Sequence, residues 1–359
     1  MKDLDDLLKQ PGAWLDVGGN TGVMVSSRVR LARNIEGEAF PGWAGEEESM
    51  RIWNNLRPAI ESLPMLAEPL VIAIAELGRM DREVLVERHL MSRDLSDKGR
   101  GSGLILKRDE SLAVMLNEED HLRMQAMSPG LNLTACWKQI NAVDTEIESR
   151  IAYAFSPCLG YLTACPTNVG TGMRASVMLH LPGLVLLNEI GGIINGVSKI
   201  GLAVRGLWGE GTDASGNMFQ ISNQVTLGEK EEAIIGRLEQ IVLEIAEHEK
   251  NARLRLVQQK EASIRDHIGR AYGILSQAHL LNSKETLDLL SALRLGIDLG
   301  LVTEWTQSVI DELFILIQPG HLQKLGGKAI GAEKRDMSRA RLVRERLAER
   351  RRKPGKAKI

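Results

Sequence analysis

The chain has 359 residues, 43% hydrophobic and 26% charged, with three cysteines and a formal net charge of −2. That is enough material for one large domain or two smaller ones with real cores. It excludes a disulfide scaffold, and no apolar run reaches membrane-spanning length, since Leu179–Leu187 is soon followed by Asn188 and Glu189.

The first residues, MKDLDDLLKQPG, are acidic and lack the layout of a signal peptide, so the expected compartment is the cytoplasm. Further along, Ser111–Leu116 and His121–Met127 read as paired strands, with NEED at Asn117–Asp120 as their turn. Leu131–Phe155 has helical spacing. Gly160–Ala164 and Ala175–Leu181 read as strands around the glycine-rich stretch ACPTNVGTGMRASV, Ala164–Val177. Gly201–Leu207 and Met218–Leu227 form another strand pair joined by GEGTDASGN. Glu229–Gln259 is a long amphipathic helix with Ile234, Leu238, Ile241 and Ile245 on one face. Beyond Glu261 strand signals vanish. Ile264–Leu281, Lys284–Asp298 (capped by Ser283) and Glu304–Ile317 read as helices, the last ended by Pro319-Gly320, with a further loop at Gly326-Gly327. The predicted fold class is α+β: an antiparallel sheet flanked by helices, followed by an all-helical domain.

Charge is uneven. Residues 334–359 carry twelve Lys/Arg and three Asp/Glu, a local net of +9 against −11 for the rest. An anionic partner and a solvated, frayed helix end both fit that tail. Aromatics are 4% of the chain and none interleaves the tail, so nucleic acid is not an expected partner.

The glycine-rich stretch reads as an anion-handling loop: glycine admits close backbone approach, and Arg174 offers a planar fork for phosphate oxygens. No GxxxxGK[ST] occurs, and Gly209–Ala214, a loose GxGxxA, precedes a strand pattern where a helix is required. Phosphoryl transfer would then use an arginine cluster. Arg28, Arg30, Arg123, Arg174 and Arg205 all fall at strand–turn contexts near Ser, Thr or Gly. Any one alone is explained by a surface salt bridge; five in like settings point to a clamp. Glu118, Glu119 and Asp120 crowd one turn and Glu210 lies in another. Solvated acids are the plain reading, but a guanidinium nucleophile needs carboxylates to orient it and take its proton. Cys165 is either an inert thiol or, beside cations, a thiolate. The three cysteines form no CxxC and the histidines no HExxH, so no dedicated metal site is expected.

SSRVRLAR at Ser26–Arg33, NEEDHLR at Asn117–Arg123 and CPTNVGT from Cys165 resemble signatures of the phosphagen (guanidino) kinases, and RGLWGEGT at Arg205–Thr212 resembles their mobile substrate loop. The resemblance covers roughly Met24 to Arg253. It implies ATP as cosubstrate, with Mg²⁺ held mainly by phosphates and water. It implies nucleotide contacts at Ser26, Ser27, Arg28, Val29, Arg30, His89 and Arg123, along Arg174, Ala175, Ser176, Val177 and Met178, and along Arg205, Gly206, Leu207, Trp208 and Gly209. Glu119 and Glu210 would hold the guanidinium, Glu118 would neighbour them, and Cys165 would lie against the substrate. Only some 25 residues precede Ser26, where small-molecule members carry a helical domain. That difference, GTGMRASVMLHLP and the added helical region resemble the branch that acts on arginine in bacterial proteins during heat shock.

In that branch an RDxxRA motif binds phosphoarginine. It reads here Arg335-Asp336-Met337-Ser338-Arg339-Ala340, on a helix whose apolar stripe would be Met337, Ala340, Val343 and Leu347. The resemblance divides the chain into a short extension (1–22), a catalytic domain (23–260), a helical phosphoarginine-binding and dimerisation domain (261–350) and a disordered basic tail (351–359). Implied partners are unfolded proteins, a heat-shock repressor, Clp protease machinery, an activator protein and a second copy in a homodimer, with no membrane. A kinase for a free guanidino metabolite and a non-catalytic phosphoarginine reader are the alternatives.

Overall fold

The computed structural model describes residues 12–15, 22–206 and 215–350. Strand β1 (Met24–Arg33) alternates so that Val29 and Leu31 enter the core while Arg28 and Arg30 face the other way. It lies near the middle of a sheet with β2 (Leu70–Ala73), β3 (Gly103–Leu106), β4 (Leu112–Leu116), β5 (Leu122–Pro129), β8 (Met173–His180), β9 (Leu202–Gly206) and β10 (Met218–Asn223). The order is β2-β3-β4-β5-β1-β8-β10-β9, and every pairing is antiparallel. A separate hairpin joins β6 (Phe155–Ser156) to β7 (Gly160–Tyr161).

The helices are α1 (Glu46–Glu61), α2 (Arg79–Glu87), α3 (Arg93–Ser96), α4 (Leu133–Glu148), α5 (Pro182–Leu186), α6 (Ile190–Lys199) and α7 (Glu231–Gln259), then α8 (Glu261–Gln277), α9 (Ser283–Asp298), α10 (Gln307–Leu316), α11 (Pro319–Leu325) and α12 (Ala332–Glu349). One face of the sheet buries Val29, Leu31, Met124, Ala175, Val177 and Ile221 against Leu133 and Ile140 of α4 and Ile234, Leu238 and Val242 of α7. On the other face, Val25 and Met218 join the core of the helical region, with Leu290, Leu293, Ile310, Phe314 and Val343. The helical region therefore shares a core with the sheet.

A buried polar network fixes that junction. Arg294 of α9 donates to Asp311 of α10 at 2.7 Å, to the Gly22 carbonyl at 2.9 Å and to His180 Nδ1 at 3.1 Å. Burial and the neighbouring Arg294 hold the His180 pKa well below its ordinary value. The ring is therefore neutral: Nδ1 accepts from Arg294 and Nε2–H donates to Ser291 Oγ at 2.8 Å.

Several local expectations change. The cap of α9 is Asn282, whose side chain accepts from the Glu285 N–H, and Ser283 is already helical. Both types cap well, but Asn282 sits one residue earlier, in extended backbone. Pro319 does not close a helix but opens α11, where its missing N–H costs nothing. Gly160–Ala164 contributes only two residues to a hairpin outside the main sheet, and the helix from Leu131 ends at Glu148. On α12, Ala340, Val343 and Leu347 are buried while Met337 is 54% exposed, so the stripe is one residue shorter.

Candidate active site

One sheet face reads as a series of rungs spaced roughly 7 Å apart, two residues per step. Arg123 of β5 pairs with Ala32. On the next rung Gln125, Arg30 and Arg174 lie side by side, followed by Met127, Arg28 and Ser176, then Ser26, Met178, Gln220 and Arg205. Five arginines that are up to 177 positions apart in sequence, Arg28, Arg30, Arg123, Arg174 and Arg205, thus share one face. Arg174 donates to Ser222 Oγ at 3.1 Å and Arg28 to Gln220 Oε1 at 3.4 Å.

Crowding perturbs them. Burial first, then Arg123 and Arg174, brings Arg28 down to about 10; burial, then Arg205 and Arg123, does the same to Arg174. Arg30 falls well below its ordinary value through burial and three arginine neighbours. For Arg123 the effect of burial is outweighed by Glu118, Glu119 and Asp120, which raise it. Such a face is built to receive several negative charges at once.

The turn at Asn117–Asp120 closes the Arg123 end. Glu118 is fully buried and accepts from Arg123 at 2.5 Å, so it orients that arginine. Although burial opposes it, Arg123 holds the Glu118 pKa low. Glu119 alone of the three is exposed; burial and its two acidic neighbours push its pKa up. Asp120 accepts from Asn34 Nδ2 at 2.6 Å and from the Ala164 N–H at 2.7 Å. That second bond pins the start of the glycine-rich loop to the acidic turn. Its far end is pinned by Arg33, which donates to the Thr171 carbonyl at 2.8 Å, and by Thr226 Oγ1, which donates to Val169 O at 2.7 Å. Cys165 is half-buried, 2.9 Å from Thr167 Oγ1, and within electrostatic reach of Arg174.

The loop glycines serve a different purpose from the one expected. A Cβ on Gly170 (φ 112°) would lie 2.2 Å from the Thr226 carbonyl, and one on Gly172 (φ 63°) 2.6 Å from that of Ala32. These glycines let the loop press onto its own scaffold. Arg33, Asn34 and Thr226 are not singled out from sequence, and Asp120 is named only as one of three crowded acids. Arg33 ends the SSRVRLAR segment and Asn34 follows it, while nothing local marks Thr226.

Ser26, Arg28, Arg30, His89, Arg123, Arg174, Ser176, Met178 and Arg205 are brought together with Glu118, Glu119 and Cys165 around this face. Ser27, Val29, Ala175 and Val177 point the opposite way into the core, and Ser27 Oγ is spent on the Gly130 carbonyl at 2.8 Å. For these four the expectation narrows to backbone contact. Gly206 pairs with Phe219. Leu207, Trp208, Gly209 and Glu210 lie outside the described residues.

On α12, Arg339 is buried and donates to the Ile317 and Leu281 carbonyls and to Asp336, while Ala340 is core. A cleft nearby is lined by Arg335 together with Arg79 of α2 and Gly320 of α11. The RDMSRA residues therefore divide into Arg335 and Asp336, which remain accessible to a ligand, and Arg339 and Ala340, which hold the helix.

His89 has φ 58° and its carbonyl is gripped by Gln125 Nε2 at 2.8 Å. Burial, then Arg28 and Arg30, brings its pKa down to about 3. His89 and His180 are thus neutral when folded but take up protons in the unfolded chain below about 6.5. The sign follows: stability is full above that value and falls as pH drops through it, by up to about 1.4 kcal/mol per pH unit for each proton. Denaturant unfolding between pH 7.5 and 5 should show uptake of at least about one proton on unfolding; a flat profile contradicts the buried neutral rings.

Comparison with known proteins agrees with this geometry. The family model "ATP:guanido phosphotransferase, C-terminal catalytic domain" matches residues 51–252, and "Protein-arginine kinase McsB C-terminal domain" matches 261–358. A protein-arginine kinase of Desulforamulus reducens is 46% identical over 93% of this chain and 95% of that relative. The chain belongs to the protein-arginine kinase family. A family member from Bacillus subtilis is 43% identical over 93% of both chains. Among solved structures, the duplicated taurocyamine kinase of Schistosoma mansoni with bound transition-state analogue components aligns at TM-score 0.60 and 29% identity. It covers 69% of this chain, which spans about a third (36%) of that longer protein. The fold is a phosphagen kinase sheet with a helical C-terminal region. Among the described residues no helix is long and apolar enough to cross a membrane.

Proposed function

We propose that the protein transfers the γ-phosphoryl group of ATP to a guanidinium nitrogen of arginine side chains in other proteins. The observation that carries this is the placement of an acidic turn at one end of a five-arginine face. The arginines neutralise the phosphate oxygens and align the chain of phosphates along β1. Glu119 holds the guanidinium in line; as its nitrogen bonds to phosphorus and the bond to ADP breaks, the departing proton passes to a carboxylate. Glu118 keeps Arg123 in position. Glu210 is proposed as the second carboxylate and Cys165 as a neighbour of the substrate. A magnesium ion, carried mainly on the phosphates and water, would neutralise part of their charge.

That the guanidinium belongs to a protein is supported by the similarity, over nearly full length, to relatives named protein-arginine kinase. We read the cleft lined by Arg335 and Arg79 as part of a phosphoarginine site, with Asp336, which pairs with Arg339 beside it, on the guanidinium side. Marking of unfolded proteins for Clp-type proteolysis, action on a heat-shock repressor, response to an activator protein, homodimer formation and a cytoplasmic setting complete the proposal. Incubation with ATP, Mg²⁺ and an unfolded protein, followed by mass spectrometry without acid, should find phosphate on arginine. Phosphorylation of free arginine alone would identify a metabolite kinase, and no arginine phosphate at all would leave only a reader.

A further inference from the structure

We propose that helix α10 of the C-terminal region forms one wall of the pocket for the nucleotide base, at the apolar end of the arginine face. The proposal rests on reading the arginine face as a nucleotide site. Beyond Arg28, away from the acidic turn, the rungs change character. A cavity opens there, bounded on the sheet side by Ser26, Arg28, Met127, Met178 and Gln220. Its opposite side is closed by Trp14 and Leu15 and by Phe314 and Ile315 of α10.

The spacing fits an extended nucleotide. The cavity begins on the Arg28 rung and extends past Ser26, while the acidic turn lies beyond Arg123. Those rungs are roughly 20 Å apart end to end. With the terminal phosphate at the turn, the sugar and then the base must follow β1 toward Ser26. A flat, poorly hydrated ring suits walls of Met, Trp and Phe, whereas the phosphates require the arginines.

The sequence families make the point sharper. Residues 51–252 match the guanidino phosphotransferases, and Phe314 and Ile315 lie beyond that match. Yet α10 is fixed to the sheet. Asp311, which also lines the cavity, is held by Arg294, and Arg294 in turn grips His180 at the end of β8. Phe314 packs on Gly216, where a Cβ would come within 2.7 Å of its ring. Seating of the helical region and completion of the base pocket are therefore one arrangement, and nucleotide affinity depends on both.

The test uses the full chain and two ligands, ATP and inorganic tripolyphosphate, each with Mg²⁺, measured by calorimetry. Phe314→Ala should weaken ATP about tenfold, the scale of losing one aromatic contact with a base, and leave tripolyphosphate within about twofold. Phe314→Leu, which keeps most of the core volume, should show a smaller loss in the same direction and guards against misfolding of the first variant. Unchanged ATP affinity in a folded variant overturns the proposal, as does an equal loss for both ligands. Wild-type chain that binds neither ligand would instead remove the nucleotide reading itself.

Discussion

Glu119→Gln should leave nucleotide affinity within about twofold and lower the rate of arginine phosphorylation by about a thousandfold, within the range of a lost general base. The asymmetry follows from the turn. Glu118 is buried against Arg123 and Asp120 is committed to Asn34 and Ala164, so of the three acids only Glu119 presents its carboxylate outward. The amide retains size and some hydrogen bonding but cannot take the proton. Because burial and two neighbouring acids push the Glu119 pKa up, the wild-type rate should also decline on acidification from a higher pH than an ordinary glutamate would give. Single-turnover measurement separates the chemical step from binding. Turnover retained in the variant would remove Glu119 from the reaction.

The second large effect concerns stability. Arg33 is 1% exposed and lies 2.6 Å from Asp144, itself buried, while its guanidinium also donates to Ala32 and Thr171 and sits 3.5 Å over the Tyr161 ring. Arg33→Met keeps the volume but leaves the Asp144 charge without its cation and the Thr171 carbonyl without its donor. Breaking a buried pair in this way costs about 3–5 kcal/mol. The denaturation midpoint should fall accordingly. Pairing the change with Asp144→Leu should recover much of the loss, because removing both charges avoids the stranded one. A single variant as stable as wild type would show that this pair does not secure the loop.

The acidic turn, the five arginines and the strands on either side were legible because each lies within a short run whose alternation and chemistry coincide. Arg123 and Glu118 are five residues apart, so one hairpin announces both. What could not be read were the partners supplied from a distance. Thr226 holds the Val169 carbonyl from 57 positions away, and Phe314 meets a cavity whose other wall begins at Ser26. No local pattern encodes such pairings. The RDMSRA run differs in depth once its helix is packed, since Arg339 faces inward and Arg335 lines a cleft, and that difference is not written in the motif. Composition points the loop glycines toward ligand approach, whereas Gly170 and Gly172 answer to the carbonyls beneath them, a constraint visible only once Thr226 and Ala32 are in place.

The mutual repulsion on the arginine face has a further consequence. Burial first, and like charge after it, bring Arg28 and Arg174 down to about 10, so work is done on these cations as the sheet assembles. A polyanion laid along β1 returns that work. Ligand capture is thus the last step of building this sheet, and the cohesion of the catalytic half should rise and fall with the nucleotide supply around it.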